Sequence, residues 1–349
     1  MEPVRLAVLG AGLIGAKHAA MVSAYDSCVL VGVADPDPAR ASVATELGVP
    51  FHGSAEELLD RARPEGVIIA TPNATHAAVA VACAERGVHM LVEKPIADTL
   101  EHAQRIVAAA REHRASVLVG HHRRHNPLVQ RARDLVRGGA LGQLVGFSAL
   151  WTLLKPDDYF GGAWRREPPG GGPLLINLIH DLDSLRFICG EVTSVYARTS
   201  AAVRGFAVED SLSLSLTLEN GALGTVLASD ATPAPWSYEL TTAENPTYPH
   251  VPANCYHFVG TAASLAFPRM ELWRYADEHA RGWTEALVRE QLHVAAADPL
   301  QAQLAHFCRV VRGLEAPLVS AEEGARSLAV VVAAQESATT GTAVAIAAR

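Results

Sequence analysis

Cysteine is scarce in this chain, and its few cysteines form no recognisable pattern. They are odd in number, widely separated and without a Cys-x-x-Cys pair: Cys28, Cys83, Cys189, Cys255 and Cys308. A disulfide framework or a zinc site needs regularly spaced cysteines, so we expect neither. Reduced thiols are typical of the cytoplasm, and we expect a cytoplasmic protein.

Positive charge and long apolar runs are lacking as well. The 29 lysines and arginines are outnumbered by 37 aspartates and glutamates, which gives a net charge of −8. An acidic chain is poorly suited to nucleic acid or an anionic membrane surface as its main partner. No apolar run is long enough to span a bilayer, and the first candidate strand, 4–9, begins too early for a signal peptide. We expect a soluble protein with no membrane partner.

Apolar strands alternate with helical stretches up to about residue 122. Alternation of this kind predicts a parallel sheet with helices on both faces. We therefore predict an α/β fold whose first domain, residues 1–122, is a doubly wound Rossmann sheet. The candidate strands are 4–9, 28–34, 66–70, 87–92 and 116–120, and the helical segments lie near 13–24, 38–47, 54–62, 74–86 and 99–113.

The pattern changes after residue 122, and at 349 residues the chain is long enough for a second domain. Leucines alternate with hydroxyl residues over 211–218, and Asn220-Gly221 leads into a second apolar segment, 222–228, which predicts a β-hairpin. A helix should follow Pro127, and two more, near 299–312 and 322–339, should pack back on the body. We predict that residues 123–349 form an α+β domain with a mostly antiparallel, open sheet.

A glycine fingerprint lies between strand 4–9 and the first helix, in the context of a dinucleotide-binding motif. The first glycine permits a tight turn, the second lets the backbone approach a pyrophosphate, and the third lets helix and strand pack closely. The positive end of the helix then faces the phosphates. The fingerprint residues are Gly10, Gly12, Leu13, Ile14 and Gly15.

Asp35 follows the second strand, twenty residues after the last glycine. A carboxylate there binds the ribose hydroxyls and repels a 2′-phosphate, which favours NAD over NADP as the cofactor. Arg40 is close enough in sequence to reach a 2′-phosphate. NADP is therefore less favoured than NAD because of Asp35, but Arg40 keeps NADP from being excluded.

Two more motifs follow strands of the same sheet. Thr71, Pro72, Asn73 and His76 come after strand 66–70, where they could line the nicotinamide side or simply turn and cap the next helix. Glu93 and Lys94 end strand 87–92. Because the carboxyl ends of parallel strands share one edge, Lys94 should lie where a nicotinamide ring lies. A lysine there could transfer a proton or stabilise a developing alkoxide.

A glycine-rich hinge, 170–172, leads into a helix with proline in its first turn. Asn177, His180 and Ser184 fall on one face of that helix, and leucines form another. His180 is then a candidate general acid or base, because imidazole titrates near neutral pH. Asp183 could support His180 or pair with Arg186.

Two clusters could line a substrate pocket. His121 and Arg123 belong to a His/Arg-rich segment at the domain junction. This segment lacks the acidic ligand and the spacing of a metal site, and we predict no metal.

A polar-aromatic stretch precedes the glycine hinge. Its aromatic faces and charged tips suit a sugar-like or carboxylated molecule, although a surface loop anchored by tryptophan fits as well. Its candidate residues are Trp151, Lys155, Tyr159, Trp164 and Arg165.

The ordered motifs Gly-x-Gly-x-x-Gly, Thr-Pro-Asn-x-x-His, Glu-Lys-Pro, Arg-Arg-x-x-Pro and Gly-Gly-…-His-x-x-Asp resemble the glucose–fructose oxidoreductase/inositol dehydrogenase family over nearly the whole chain. The resemblance implies NAD(P)-dependent oxidation or reduction of sugars, cyclitols and related alcohols. It also implies a homodimer or homotetramer formed through the open sheet. Lys94 matches the catalytic lysine of the family and His180 its catalytic histidine.

One position departs from the family pattern. Many sugar-oxidising members carry an aspartate four residues before the histidine, whereas this chain has Ile176. Isoleucine cannot orient an imidazole, which leaves Asn177 as a possible hydrogen-bonding group for the substrate. The departure keeps dihydrodiol oxidation and imine reduction open, and a non-catalytic NAD-binding sensor or accessory subunit is the alternative outside the enzyme class.

Overall fold

The computed structural model describes residues 2–277, 279 and 281–347. It divides into two compact units. The first comprises Met1–His122 and Pro299–Leu328, and the second comprises Arg123–Asp298 and Ala329–Arg349. None of the helices in these described ranges is long and apolar enough to cross a membrane.

The first unit contains strands and helices in regular alternation. They are β1 (Val4–Leu9), α1 (Leu13–Ser23), β2 (Cys28–Ala34), α2 (Ala41–Glu46), β3 (Phe51–His52), α3 (Ala55–Ala62), β4 (Gly66–Ile69), α4 (His76–Ala84), β5 (His89–Val92), α5 (Leu100–Glu112) and β6 (Val117–Val119). The six strands form one parallel sheet in the order β3-β2-β1-β4-β5-β6. This order is that of a Rossmann sheet, so the predicted fold of the first domain is confirmed.

The strands of this sheet are apolar on both faces because helices cover both faces. Val67, Ile68 and Ile69 are fully buried. Ser54 and Thr99 cap α3 and α5, since their hydroxyl oxygens accept hydrogen bonds from backbone N–H groups one turn into each helix. The two-residue strand β3 was not predicted, because so short a segment carries no periodic signal.

The chain returns to the first unit near its end. There it forms a helix, Pro299–Val311, and begins a second one, Ala321–Thr340. These two are α9 and α10, because the second unit contributes the helices α6 (Pro127–Arg137), α7 (Ile179–Cys189) and α8 (Tyr238–Thr241) before them. A Cβ at Gly66 of β4 would lie 3.1 Å from Phe307 and 3.0 Å from Val311, so α9 packs directly on the sheet.

The second unit is built on a nine-stranded sheet. Its strands are β7 (Leu144–Thr152), β8 (Val192–Ser200), β9 (Ser211–Leu218), β10 (Leu223–Ser229), β11 (Tyr256–Gly260), β12 (Ser264–Phe267), β13 (Glu271–Tyr275), β14 (Leu287–Gln291) and β15 (Val344–Ala345). They lie in the order β14-β13-β12-β11-β7-β10-β9-β8-β15. Only β7 and β10 pair in parallel, which confirms the predicted mostly antiparallel sheet.

The predicted hairpin is β9 and β10, which pair with Ser215 opposite Thr225. All four leucines of β9 are buried, and Ser213, Ser215 and Thr217 are exposed on the other face. One face of this sheet is therefore open. Only β9 and β10 of the nine strands were predicted individually, and β14 in particular gives no signal, because all five of its residues are exposed and show no apolar alternation.

Candidate functional site

The glycine loop of the first unit joins β1 to α1 at the carboxyl edge of the parallel sheet. Gly10 has a φ of +94°, and a Cβ there would lie 2.5 Å from the carbonyl oxygen of Ala70. A Cβ on Gly15 would lie 1.8 Å from the carbonyl oxygen of Gly10, so helix and loop meet only if both residues are glycine. A Cβ on Gly12 would meet nothing within 4 Å. The backbone at Gly12 thus borders open space, as a pyrophosphate requires.

The amino end of α1 adjoins that space. Gly12 caps the helix without a side-chain hydrogen bond, and no acidic residue lies in the first turn. Leu13 is 92% exposed and Ile14 is 37% exposed. An exposed helix terminus with unshared N–H groups favours a negatively charged group, which fits the phosphates of a dinucleotide.

Asp35 follows β2 beside this loop. Its Oδ2 accepts a hydrogen bond from the N–H of Ala11 at 2.7 Å, and its Oδ1 accepts one from the N–H of Asp37 at 2.9 Å. Arg40 pairs with Asp37, with 3.7 Å between Nε and Oδ2. The carboxylate of Asp35 is therefore held in place next to the glycine loop, and the nearby cation is paired with another acid.

Glu93 and Lys94 follow β5 on the same edge, and both are partly exposed. The imidazole Nε2 of His18, on α1, lies 2.7 Å from Oε1 of Glu93, and the N–H of Lys94 donates to Oε2 at 3.2 Å. Burial would raise the pKa of Glu93, but the hydrogen bond and charge of His18, with the charges of Lys94 and His122, lower it to about 2. Glu93 is consequently an anion that ties the lysine-bearing turn to α1.

His76 is fully buried, which corrects the expectation that it lines the cofactor. Its Nε2 lies 2.9 Å from the carbonyl oxygen of Thr71, and its Nδ1 lies 3.1 Å from that of Pro95. Burial lowers the pKa of this imidazole. His76 therefore joins the turn after β4 to the turn after β5, and it acts on a ligand only through those turns.

The turn after β4 is itself at the sheet edge. Thr71 and Asn73 are partly exposed, and Pro72 is exposed. The hydroxyl of Thr75 donates to Thr71 at 2.8 Å, and Asn73–Thr75 forms a single 3-10 turn before α4. His121, the other residue predicted to line a pocket from this unit, follows β6 and is buried.

In the second unit, the predicted catalytic helix begins with a π-helical turn, Leu174–Leu178, that continues into α7. From residue 171 to residue 190 every residue is buried except Ile176, Asn177 and His180. All three were singled out from the sequence, but so were Ser184 and Asp183, which are buried. Ser184, predicted on the same face, is buried and donates to the carbonyl oxygen of His180 at 2.9 Å. The buried leucines Leu178, Leu182 and Leu185 hold the helix in the core.

Lys155 fixes one of those exposed groups. Its Nζ donates to Oδ1 of Asn177 at 2.7 Å and lies 3.4 Å from Oδ2 of Asp230. Burial lowers the pKa of Lys155, although the charge of Asp230 opposes this effect. Because the amide oxygen of Asn177 is taken by the ammonium, its NH₂ group is the end left to bind an acceptor.

Arg123 and Trp151 lie beneath this surface, which corrects the expectation that they contact substrate. Both side chains are buried. Arg123 pairs with Asp181 at 3.0 Å and with Glu239 at 2.7 Å, and the indole N–H of Trp151 donates to Glu239 at 2.9 Å. The guanidinium also stacks on Tyr238 at 3.9 Å. This network supports α7 from within.

The rest of the polar-aromatic stretch is more accessible. Tyr159 and Arg165 are partly exposed, and Trp164 is exposed. The guanidinium of Arg165 lies 4.1 Å from the ring centre of Tyr159 and 5.0 Å from that of Trp164. Nζ of Lys155 lies 4.6 Å from the Tyr159 ring. Cations and aromatic faces thus lie close together in this stretch.

Two aspartates of α7 are held by arginines, and of these Asp183 was singled out from the sequence but Asp181 was not. Burial raises the pKa of Asp181 to about 6, against the opposing charge of Arg123, and Asp181 also accepts a hydrogen bond from Tyr256. Asp183 accepts hydrogen bonds from Arg124 at 2.7 Å and 2.9 Å, and it lies 3.9 Å from the guanidinium of Arg186, which was one of its two predicted partners. The pattern His180-Asp-Leu-Asp183 was the available signal, but it does not say which arginine each aspartate meets. Within the described ranges, no group of three or more His, Cys, Asp or Glu side chains is arranged to hold a metal ion.

Comparison with known proteins places this geometry in a family. The model of an oxidoreductase family with an NAD-binding Rossmann fold (GFO/IDH/MocA) matches residues 4–121, and the model of the GFO/IDH/MocA C-terminal domain matches residues 129–266. A 1,5-anhydro-D-fructose reductase from Ensifer adhaerens is 30% identical over 314 residues, which cover 86% of this chain and 86% of that protein. A scyllo-inositol 2-dehydrogenase (NAD(+)) from Bacillus subtilis is 27% identical over 353 residues, covering 96% and 94%.

The fold is shared with solved structures as well. The WlbA dehydrogenase from Bordetella pertussis, solved in complex with NADH and UDP-GlcNAcA, superimposes with a TM-score of 0.82 at 22% identity, covering 100% of both chains. Since both family models and relatives aligned over most of their length agree, the chain belongs to the GFO/IDH/MocA family of NAD-binding oxidoreductases.

Proposed function

We propose that this protein is an NAD-dependent dehydrogenase that oxidises a secondary alcohol of a sugar, cyclitol or related polyol, or reduces the corresponding ketone. The observation that carries the proposal is the position of Lys94. It is partly exposed directly after β5, on the sheet edge that also presents the glycine loop and Asp35. In a Rossmann sheet this edge is where the reactive end of the cofactor lies.

In this proposal the first unit binds the cofactor through its glycine loop and Asp35. Bound NAD supplies the hydride acceptor. Lys94 donates a hydrogen bond to the reacting oxygen and stabilises the negative charge that develops on it. His180 accepts the hydroxyl proton and returns it to solvent. Glu93 keeps the turn that carries Lys94 in place through its contact with His18.

The polyol assignment rests on relatives and on the second unit. The similar proteins from Ensifer adhaerens and Bacillus subtilis are named for an anhydro sugar and for an inositol. The NH₂ of Asn177, fixed by Lys155, offers a donor to a substrate oxygen. Arg165 with the faces of Tyr159 and Trp164 suits a sugar-like ring or a carboxylate.

We further propose that the open face of the nine-stranded sheet forms a contact between copies of the chain, giving a homodimer or homotetramer. The face carries the exposed hydroxyl residues of β9 together with exposed apolar side chains. Leu223 is 62% exposed and Leu227 is 50% exposed on the neighbouring strand. Neighbouring exposed leucines on an open sheet face are typical of an interface.

A turnover screen tests the proposed activity. Purified protein with NAD is offered sugars, cyclitols, uronates and dihydrodiols, and NADH is followed by its absorbance. We expect reduction with at least one polyol. Lys94→Ala should lower kcat on that substrate by about 10²–10⁴-fold, because it removes the group that stabilises the alkoxide, while NAD affinity stays near that of the parent. Lys17→Ala, a change of an exposed lysine on α1, is the matched control.

Two results would contradict the assignment. Near-normal kcat in Lys94→Ala would show that the hydride transfer does not use this site. A parent protein that binds NAD tightly but turns over no member of the panel would favour a sensor or accessory role, since such a protein needs neither Lys94 nor His180 for chemistry.

A further inference from the structure

Arg165 is a cation that the second unit holds in place without an acidic partner. Its guanidinium carbon lies 4.1 Å from the ring centre of Tyr159 and 5.0 Å from that of Trp164, and Nη1 donates a hydrogen bond to the carbonyl oxygen of Tyr159. Among the residues that the structure describes, no carboxylate lies within 4.0 Å of this guanidinium, and its Nε has no hydrogen-bond partner. The side chain is partly exposed, so an anion can reach it from solvent.

Other arginines of this unit are neutralised by acids of the chain. Arg123 pairs with Asp181 at 3.0 Å, and Arg204 pairs with Asp230 at 3.0 Å. A cation that is partly removed from water is costly unless an anion compensates it. Because Arg165 has no such anion in the described part of the chain, we expect its counter-charge to come from a ligand.

Lys155 connects Arg165 to the exposed amide of Asn177. Nζ of Lys155 lies 2.7 Å from Oδ1 of Asn177 and 4.6 Å from the ring centre of Tyr159, the ring on which the guanidinium of Arg165 stacks. The carbonyl oxygen of Arg165 also accepts a hydrogen bond from the N–H of Gly172 at 3.4 Å, at the end of the glycine hinge. With a hydrogen bond of about 2.9 Å at each end, a single-ring sugar acid spans the gap between guanidinium and amide.

The charge available to a ligand at this place is a single positive one. The ammonium of Lys155 is already shared between Asn177 and Asp230, which lies 3.4 Å away. The guanidinium of Arg165 therefore matches the one negative charge of a carboxylate better than the nearly double charge of a phosphate monoester. Its planar array of N–H groups also fits the two oxygens of a carboxylate.

We propose that the substrate is a sugar acid, whose carboxylate is bound by Arg165 while one of its hydroxyl oxygens accepts a hydrogen bond from the NH₂ group of Asn177. This inference rests on the proposed dehydrogenase function, because it names the class of substrate for that function. The faces of Tyr159 and Trp164 exclude water from part of the guanidinium, which strengthens its attraction to the carboxylate. A neutral sugar of the same size lacks this interaction.

Matched pairs of ligands test the proposal. They are D-glucuronate with D-glucose, D-galacturonate with D-galactose, and D-gluconate with D-glucitol. For each member we measure kcat and KM with NAD, and binding by isothermal titration with and without NADH. In the parent protein we expect at least one acid to bind more tightly than its neutral partner, with kcat/KM higher by about tenfold or more, as a hydrogen bond to a charged group provides.

Variants of Arg165 locate the preference. Arg165→Ala should reduce the ratio of kcat/KM for the acid to kcat/KM for its neutral partner by about 10–100-fold, through KM more than through kcat. Arg165→Lys keeps the charge but loses the planar array of donors, so its ratio should lie between the two. Arg131→Ala, a change of an exposed arginine on α6, should behave as the parent does. Because each ratio compares two ligands on one variant, a general loss of folded protein does not imitate the effect.

Three results would overturn the carboxylate site. These are acids that bind no more tightly than their neutral partners, a loss in Arg165→Ala that is equal for both members of a pair, and a preference for D-glucose 6-phosphate over D-glucuronate. If neutral sugars are turned over and Arg165→Ala changes no ratio, the carboxylate site is wrong and the dehydrogenase function stands. If an acid binds through Arg165 but no member of the panel is turned over, the carboxylate site stands and the dehydrogenase function is wrong.

Discussion

The carboxylate of Asp35 cannot move aside easily, because both of its oxygens accept backbone hydrogen bonds. A 2′-phosphate would therefore meet a fixed negative charge, and we expect NAD to bind substantially more tightly than NADP. Isothermal titration with both cofactors measures this. Asp35→Ala should weaken NAD binding and reduce the ratio of NAD affinity to NADP affinity. Asp60→Asn, a change of an exposed residue on α3, should do neither. Equal affinities in the parent would mean that Arg40 overrides the carboxylate.

His180 and Ile176 give a second test at the residue scale. If His180 relays the proton, His180→Ala should lower kcat by about 10²–10⁴-fold. Ile176→Asp places a carboxylate four residues before the imidazole, which should favour the charged ring and move the acidic limb of the kcat profile to higher pH. The measurement is kcat against pH for each variant, with the exposed His113→Ala as control. If His180→Ala lost little kcat and the pH profile of kcat were unchanged in Ile176→Asp, His180 would not relay the proton and would only shape the pocket.

At the scale of elements, single polar contacts tie the turns of the first sheet edge together. His18 joins α1 to the turn after β5, and His76 joins the turns after β4 and β5. Groups that would contact the cofactor thus rest on side chains that are themselves buried. The position of Lys94 depends on this support as much as on β5.

The contact between His18 of α1 and Glu93 of the turn after β5 should make the stability of the fold depend on pH. The folded pKa of Glu93 is about 2, below its ordinary 4.5, so its contribution is present above pH 4.5 and is lost as the pH falls towards 2. The difference corresponds to about 3 kcal/mol at neutral pH. We expect Glu93→Gln to melt below the parent at pH 7 and to approach it near pH 3. Glu56→Gln, an exposed change on α3, should follow the parent at both values. If the melting temperatures of Glu93→Gln and the parent differed by the same amount at both pH values, the ionised carboxylate would not be what stabilises the fold.

At the scale of the whole molecule, the open sheet face exposes two leucines of β10, Leu223 and Leu227. Light scattering should therefore give a dimer or tetramer at micromolar concentration. Leu227→Arg, in the middle of β10, should shift the protein towards monomer because it places a charge in the contact. Leu314→Arg, an equally drastic change at an exposed leucine of the first unit, should leave the mass unchanged. A monomeric parent would contradict the proposed interface.

The sequence by itself determined the strands and helices of the first unit, the hairpin of the second and the glycine loop with its acid. These features depend on periodicity, on turn residues and on short spacings, all of which act between neighbours in the chain. For the same reason the positions of Lys94, Asn177 and His180 could be predicted. Lys94 follows a strand, and Asn177 and His180 lie on one face of a helix whose other face is apolar. Their roles stay predictions.

Only the tertiary structure decided which polar groups are buried and what they meet. His76, Arg123 and Trp151 looked like ligand-contacting residues but support the site from within. Asp183 meets Arg124, and Asp181 meets Arg123 and Tyr256, across long stretches of chain. The partner of a buried charge is set by how distant elements pack, and nothing in the local pattern of residues carries that information.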